Sequence, residues 1–133
     1  MKRNVGVWID HRRAVIVRIT GDVEGIQSID SDMEKHIRFA GGKPEDQQER
    51  KFTNHLNEYY AKIVPFLRDA DSILIFGPGE AKGEFEKRFG SESFSARILN
   101  VETVDKMTDN QLAAKVREHF LNQAEEIQKN KKH

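Results

Sequence analysis

Ser72-Ile73-Leu74-Ile75-Phe76-Gly77-Pro78-Gly79 is a run of β-forming apolar residues closed by two glycines around a proline. Four successive apolar residues without alternation mark a strand covered on both faces, as in a parallel sheet sandwiched between helices. Gly77-Pro78-Gly79 punctuates the run, and Phe85 and Phe89, four apart, then suggest a short helix that stops at Gly90. Ala96 to Val101 reads as a further strand. Thr108 with Gln111 three residues on is a capping-box signal, opening a last helix with the stripe Leu112, Val116, Phe120, Ala124 and Ile127. Strands alternating with helices imply parallel pairing through crossover connections.

Upstream, Phe52, Leu56, Tyr59 or Tyr60, Ile63 and Phe66 or Leu67 recur at helical spacing. This helix begins near Pro44, whose fixed φ suits a first helical position, and Glu45 and Asp46 complement the positive end of the helix dipole. Pro65 is expected to kink or end it, because proline removes a hydrogen bond and clashes one turn back. Asn4 to Ile9, Ala14 to Ile19 and Val23 to Ile29 are β-rich, separated by polar turns at Asp10 to Arg13 and Gly21-Asp22. Lys35 to Phe39 alternates again and leads into Gly41-Gly42. The expected architecture is α/β: a mixed five-stranded sheet, three antiparallel strands and then βαβα-type parallel strands, flanked by helices. Val7, Val17 and Leu74 are expected in one core, against the face of the long helix that carries Phe52, Leu56 and Ile63.

The 133 residues suit a single domain, read here as residues 1–127 with a basic, fraying tail at 128–133. Hydrophobic residues at 37% and charged residues at 33% describe a globular chain with a highly charged exterior. Lys plus Arg equals Asp plus Glu at 22 each, so any nucleic-acid contact must come from a local patch and not from a global field. The absence of cysteine excludes disulfides, thiolate catalysis and thiolate metal sites. The first apolar run ends at Asp10, too short for a signal peptide or a membrane span, and a cytoplasmic location is the default expectation.

The order of these elements and the residues that carry it resemble the central domain of archaeal–eukaryotic peptide-chain release factors and Pelota, over about residues 4 to 120. Trp8-Ile9-Asp10 is similar to the end of that family's opening strand. Gly77-Pro78-Gly79, with Lys82 and Phe85 after it, resembles a Pelota segment. Gly41-Gly42-Lys43 stands before the longest helix, where the family carries Gly-Gly-Gln. The resemblance implies a ribonuclease H-like topology of the kind found in translational machinery components, no cofactor, no membrane, and the ribosome or tRNA as partner. It also implies that Gly41, Gly42 and Lys43 occupy the catalytic loop that reaches the ester between peptide and tRNA. In that chemistry a neutral amide orients a water. Lys43 is a donor only and cannot accept a hydrogen bond from that water.

Three functions stay open on these residues: a ribosome- or tRNA-binding protein with a degenerate loop, a peptidyl-tRNA or ester hydrolase, and a self-associating or partner-binding module. The candidate RNA-binding residues are Arg12, Arg13, Arg38, Arg50 and Lys51, joined by Lys35 and Lys43. Acids at 45, 46 and 49 interrupt them, so a solvated charged face is an equal reading. Gly77-Pro78-Gly79 reads as a tight turn, because Pro78 offers no N–H to a phosphate and Lys82 replaces the last glycine of a dinucleotide fingerprint. Asp10 reads as a turn residue, since no acid ends the Ser72 to Phe76 strand to share a metal with it. The five histidines lack metal-ligand spacing, and solvated or helix-surface roles are expected for them.

Overall fold

The computed structural model describes residues 2–21, 23–32 and 45–131, with side chains from 50 to 121 in the last stretch. Three strands come first: β1 (Arg3–Ile9), β2 (Arg13–Thr20) and β3 (Val23–Asp30). Helix α1 (Glu45–Leu67) leads to β4 (Ser72–Gly77) and the short helix α2 (Ala81–Arg88). A 3-10 turn (Ser93–Arg97), β5 (Ile98–Thr103) and helix α3 (Asp109–Lys131) complete the order. The strands form one five-stranded sheet in the order β3-β2-β1-β4-β5. β1 pairs antiparallel with β2, and β2 antiparallel with β3, while β1–β4 and β4–β5 are parallel. This is the mixed α/β sheet the sequence implies.

Helices cover both faces, and the alternation of each strand sorts its residues between two cores. On one face Val5, Val7, Ile9, Ile16, Ile73 and Ile75 pack against Leu56, Tyr59, Tyr60 and Ile63 of α1 and Phe85 of α2. On the other, Trp8, Val15, Val17, Leu74 and Phe76 meet Leu112, Ala113 and Val116 of α3. Val7 therefore does not share a core with Val17 and Leu74, as expected from sequence; they lie on opposite faces. Register explains it: Val7 stands opposite Ile16 and Ile75, which places Val17 and Leu74 one residue out of phase. β4 is buried from Ile73 onward, which accounts for its unbroken apolar run.

Two boundaries differ from the sequence reading. α1 continues past Pro65 to Leu67. In the last turn proline removes one internal hydrogen bond from a helix that stops two residues later, so its cost is small there. β5 begins at Ile98 and not at Ala96, because Ser93–Arg97 forms the 3-10 turn that buries Phe94. The expected Lys35 to Phe39 strand lies outside the described residues, and so do the side chains of Ala124 and Ile127. α3 runs as far as Lys131, into the stretch expected to fray.

Candidate functional site

β1 and β4 lie side by side and parallel at the centre of the sheet, but the chain leaves their carboxyl ends in opposite directions, towards β2 and towards α2 and β5. In open α/β sheets such a divergence leaves a crevice at the carboxyl ends. Gly77 ends β4 there, so close to β1 that a Cβ on it would run into the Ile9 carbonyl oxygen. Only glycine lets the two strand ends meet this tightly. Lys82 then donates from Nζ to the Gly79 carbonyl, which closes the Gly77-Pro78-Gly79 turn from the side.

Asp10 organises the β1–β2 turn in the same region. Its Oδ1 accepts hydrogen bonds from the backbone N–H of Arg12 and of Arg13, both at 2.8 Å, and its own N–H donates to the Arg13 carbonyl at 3.0 Å. This is the local side-chain-to-backbone closure aspartate favours in turns, and Asp10 is a turn residue as read from sequence. The Asp10 carbonyl accepts from the Tyr59 hydroxyl at 3.0 Å, the His11 carbonyl from Ser31 Oγ at 2.6 Å, and the Arg12 carbonyl from the Ser31 N–H at 2.8 Å. His55 of α1 bonds through Nε2 to the Ser31 carbonyl. The turn is thus tied to α1 and to the end of β3.

A side-chain cluster completes the region. His11 Nε2 lies 3.2 Å from Glu84 Oε2, and the same oxygen accepts from the Tyr60 hydroxyl at 2.9 Å. The His11 ring meets Phe52 edge-on at a centroid distance of 6.3 Å, and the Arg88 guanidinium lies 5.8 Å from the Tyr60 ring centre. Burial, reinforced by the hydrogen bond to Glu84, raises the Tyr60 hydroxyl above its ordinary pKa. Burial and the nearby Asp10 charge raise that of Tyr59. Both phenols therefore stay protonated donors at neutral pH and position their partners, with no nucleophilic part. His11 and Glu84, each about one-third exposed, are the accessible polar groups of the cluster, and His11 is held there by the turn. His11 is neither simply solvated nor on a helix, as expected from sequence, because the turn aims it at α2.

The sequence-predicted residues divide into two groups. Gly41, Gly42, Lys43, Arg38 and Lys35 lie outside the described residues. Of the others, Arg12, Arg50 and Lys51 are exposed, and the His11–Phe52 contact brings the turn bearing Arg12 against the segment bearing Arg50 and Lys51. Arg13 points away from them, since its Nη2 meets Asp109 Oδ1 at the start of α3 at 3.1 Å. The residues that flank segment 33–44 end at this same region. Asp32 follows the Ser31 that caps the turn, and α1 starts at Glu45, two turns before Phe52. Sequence reasoning missed Tyr60 and Glu84. Glu84 lies 73 positions from His11, and no spacing rule joins them. Among the described residues no group of three or more His, Asp or Glu side chains is placed to hold a metal ion. Nor is any helix among them long and apolar enough to cross a membrane.

No protein-family model matches this sequence, and no curated protein matches it. Solved structures do. The chain superposes on the Pelota protein of Thermoplasma acidophilum with a TM-score of 0.54 at 18% identity, over 80% of this chain and 29% of that one. It superposes on an archaeal translation termination factor with a TM-score of 0.50 at 12% identity, over 97% of this chain and 42% of that one. The chain thus spans less than half the length of either protein. What it shares with both is a fold: the mixed five-stranded sheet between helices is one that Pelota and the termination factor also contain.

Proposed function

We propose that this chain acts in translation as a release-factor-like domain that binds the ribosome or tRNA, with Gly41-Gly42-Lys43 as a loop that no longer hydrolyses peptidyl-tRNA. The fold likeness to a termination factor and to Pelota supports the first part. The observation that supports a binding surface here is the His11–Phe52 contact, which sets the turn bearing Arg12 against the helix that carries Arg50 and Lys51, all three exposed. Exposed arginine and lysine side chains on adjoining elements suit a phosphate backbone, which is bound without reading sequence. Lys43 accounts for the loss of hydrolysis, since an ammonium cannot accept a hydrogen bond from the attacking water.

The test is co-sedimentation of the purified protein with ribosomes across a salt series. Three phosphate contacts would weaken binding by roughly 20–40-fold between 50 and 200 mM salt. The Arg50→Glu/Lys51→Glu double variant should bind more weakly while keeping its thermal transition, because both side chains are exposed on α1. In a peptide-release assay on programmed ribosomes, wild-type protein should release nothing. Robust release would reinstate the hydrolase. Absence of binding at low salt would favour a partner-binding module without an RNA role.

A further inference from the structure

At the opposite end of β1 from the turn just described, the sheet and the end of α1 enclose a cavity of about 490 Å³, within the size range of small-molecule sites. Its lining combines apolar Val5, Pro65, Phe66 and Ala70 with charged Arg3, Arg18 and Asp69. Arg18 stands opposite Gly25 in the β2–β3 pair, and both line the cavity. A Cβ on Gly25 would lie 3.6 Å from Arg18 Nη2, an ordinary contact, so the guanidinium rests against the Gly25 backbone.

The charges lining this cavity do not cancel. Arg3 Nη1 and Asp69 Oδ2 stand 4.0 Å apart with side chains 61% and 82% exposed, a weak surface pair. Arg18 has no ion pair among the described residues; its guanidinium lies 5.6 Å from the centre of the Phe66 ring. The last turn of α1 holds no basic residue, and the Arg97 guanidinium that reaches the end of that helix is engaged with the Arg68 carbonyl at 2.9 Å. A planar guanidinium held against an aromatic ring leaves its remaining N–H groups directed at its own plane, where a carboxylate or phosphate is recognised.

We propose that this cavity binds a small organic anion, its flat apolar body against Phe66, Pro65 and Val5 and its carboxylate or phosphate on Arg18. The site is separate from the turn at residues 10–13, because β1 is seven residues long and the two lie at its opposite ends. Its occupancy does not depend on any ribosome contact.

The experiment is an amide chemical-shift titration of the full chain with phenyl phosphate, benzoate, inorganic phosphate and phenol. Phenyl phosphate or benzoate should give saturable shifts at residues 3–5, 18–25 and 65–70, and bind roughly tenfold or more tightly than inorganic phosphate or phenol. Arg18→Gln removes the charge, and Gly25→Val fills the cavity in a strand that tolerates a β-branched residue. Each should weaken binding roughly tenfold or more, whereas Arg50→Gln, at the other end of the molecule, should leave it unchanged. The spectrum itself reports whether each variant is folded, and Arg18→Gln decides the matter alone if Gly25→Val is not. Inorganic phosphate binding as tightly as phenyl phosphate would overturn the proposal. So would unaltered affinity in folded Arg18→Gln, or the lack of any saturable shift at millimolar ligand.

Discussion

Tyr60 shows how one hydroxyl links the core to the site. It is buried among Tyr59, Phe85 and the sheet, and it donates to the carboxylate that also faces His11. Tyr60→Phe should cost about 1 kcal/mol at neutral pH, the net worth of a hydrogen bond whose acceptor keeps a second partner. The pH dependence follows from the raised folded pKa. An unfolded tyrosine ionises near 10.0, whereas burial keeps the folded hydroxyl protonated beyond that. The contribution is therefore complete below pH 10 and is lost as pH rises from there through the folded value. Chemical denaturation at stepped alkaline pH should show a fall in stability that is shallower in Tyr60→Phe; identical slopes would contradict it. Gly6 offers a second residue-scale test, because a Cβ there meets the Val116 side chain of α3. Gly6→Ala should cost about 1–3 kcal/mol, and Val116→Ala in the same chain should cost less than it does alone. At this scale legibility depended on sequence distance. The Asp10 turn could be read because its partners are two and three residues away, whereas the His11–Glu84–Tyr60 cluster joins residues that only the fold brings together.

Helix α3 begins with a reciprocal pair: the Thr108 N–H donates to Gln111 Oε1 at 2.9 Å and the Gln111 N–H to Thr108 Oγ1 at 3.1 Å. That capping box was plain from residues 108 and 111, since both partners lie within one turn. Thr108→Ala should cost about 1 kcal/mol, measurable as a lower midpoint in urea with unchanged slope. β4 was equally readable from its composition, and Leu74, buried by α3, should lose on the order of 2–5 kcal/mol on replacement by Ala. Retained stability in Leu74→Ala would contradict the two-sided core. Two features at this scale differ from the sequence reading, each for its own reason. Alternation tells which residues of a strand share a face, but not which face of the sheet that is, so Val7 was placed with Val17 and Leu74. The 3-10 turn at Ser93–Arg97 has no periodicity of its own, and Phe94 is buried there by tertiary packing.

Across the whole molecule, distant ends are held by pairs that no local pattern announces. Arg117 of α3 grips Glu24 of β3 through both carboxylate oxygens, at 2.6 and 2.7 Å, and Arg13 meets Asp109 at 3.1 Å. Both clamp α3 over the β2–β3 side of the sheet. Arg117→Ala should destabilise by about 0.5–1 kcal/mol, given partly exposed partners, and the loss should shrink in high salt. The sheet order also governs how the chain reaches this state. β1 is made first yet sits in the middle, and its second neighbour β4 begins at Ser72. During synthesis the β1–β3 meander can form as soon as it emerges. Within that meander β1 is an edge strand, and it waits with one row of backbone hydrogen-bonding groups unmatched until residues 72–77 have left the tunnel. For that interval the nascent chain presents an open strand edge, the feature that invites pairing with another chain. A stalled or truncated product ending before Ser72 should therefore be held by chaperones or aggregate, although it contains three of the five strands.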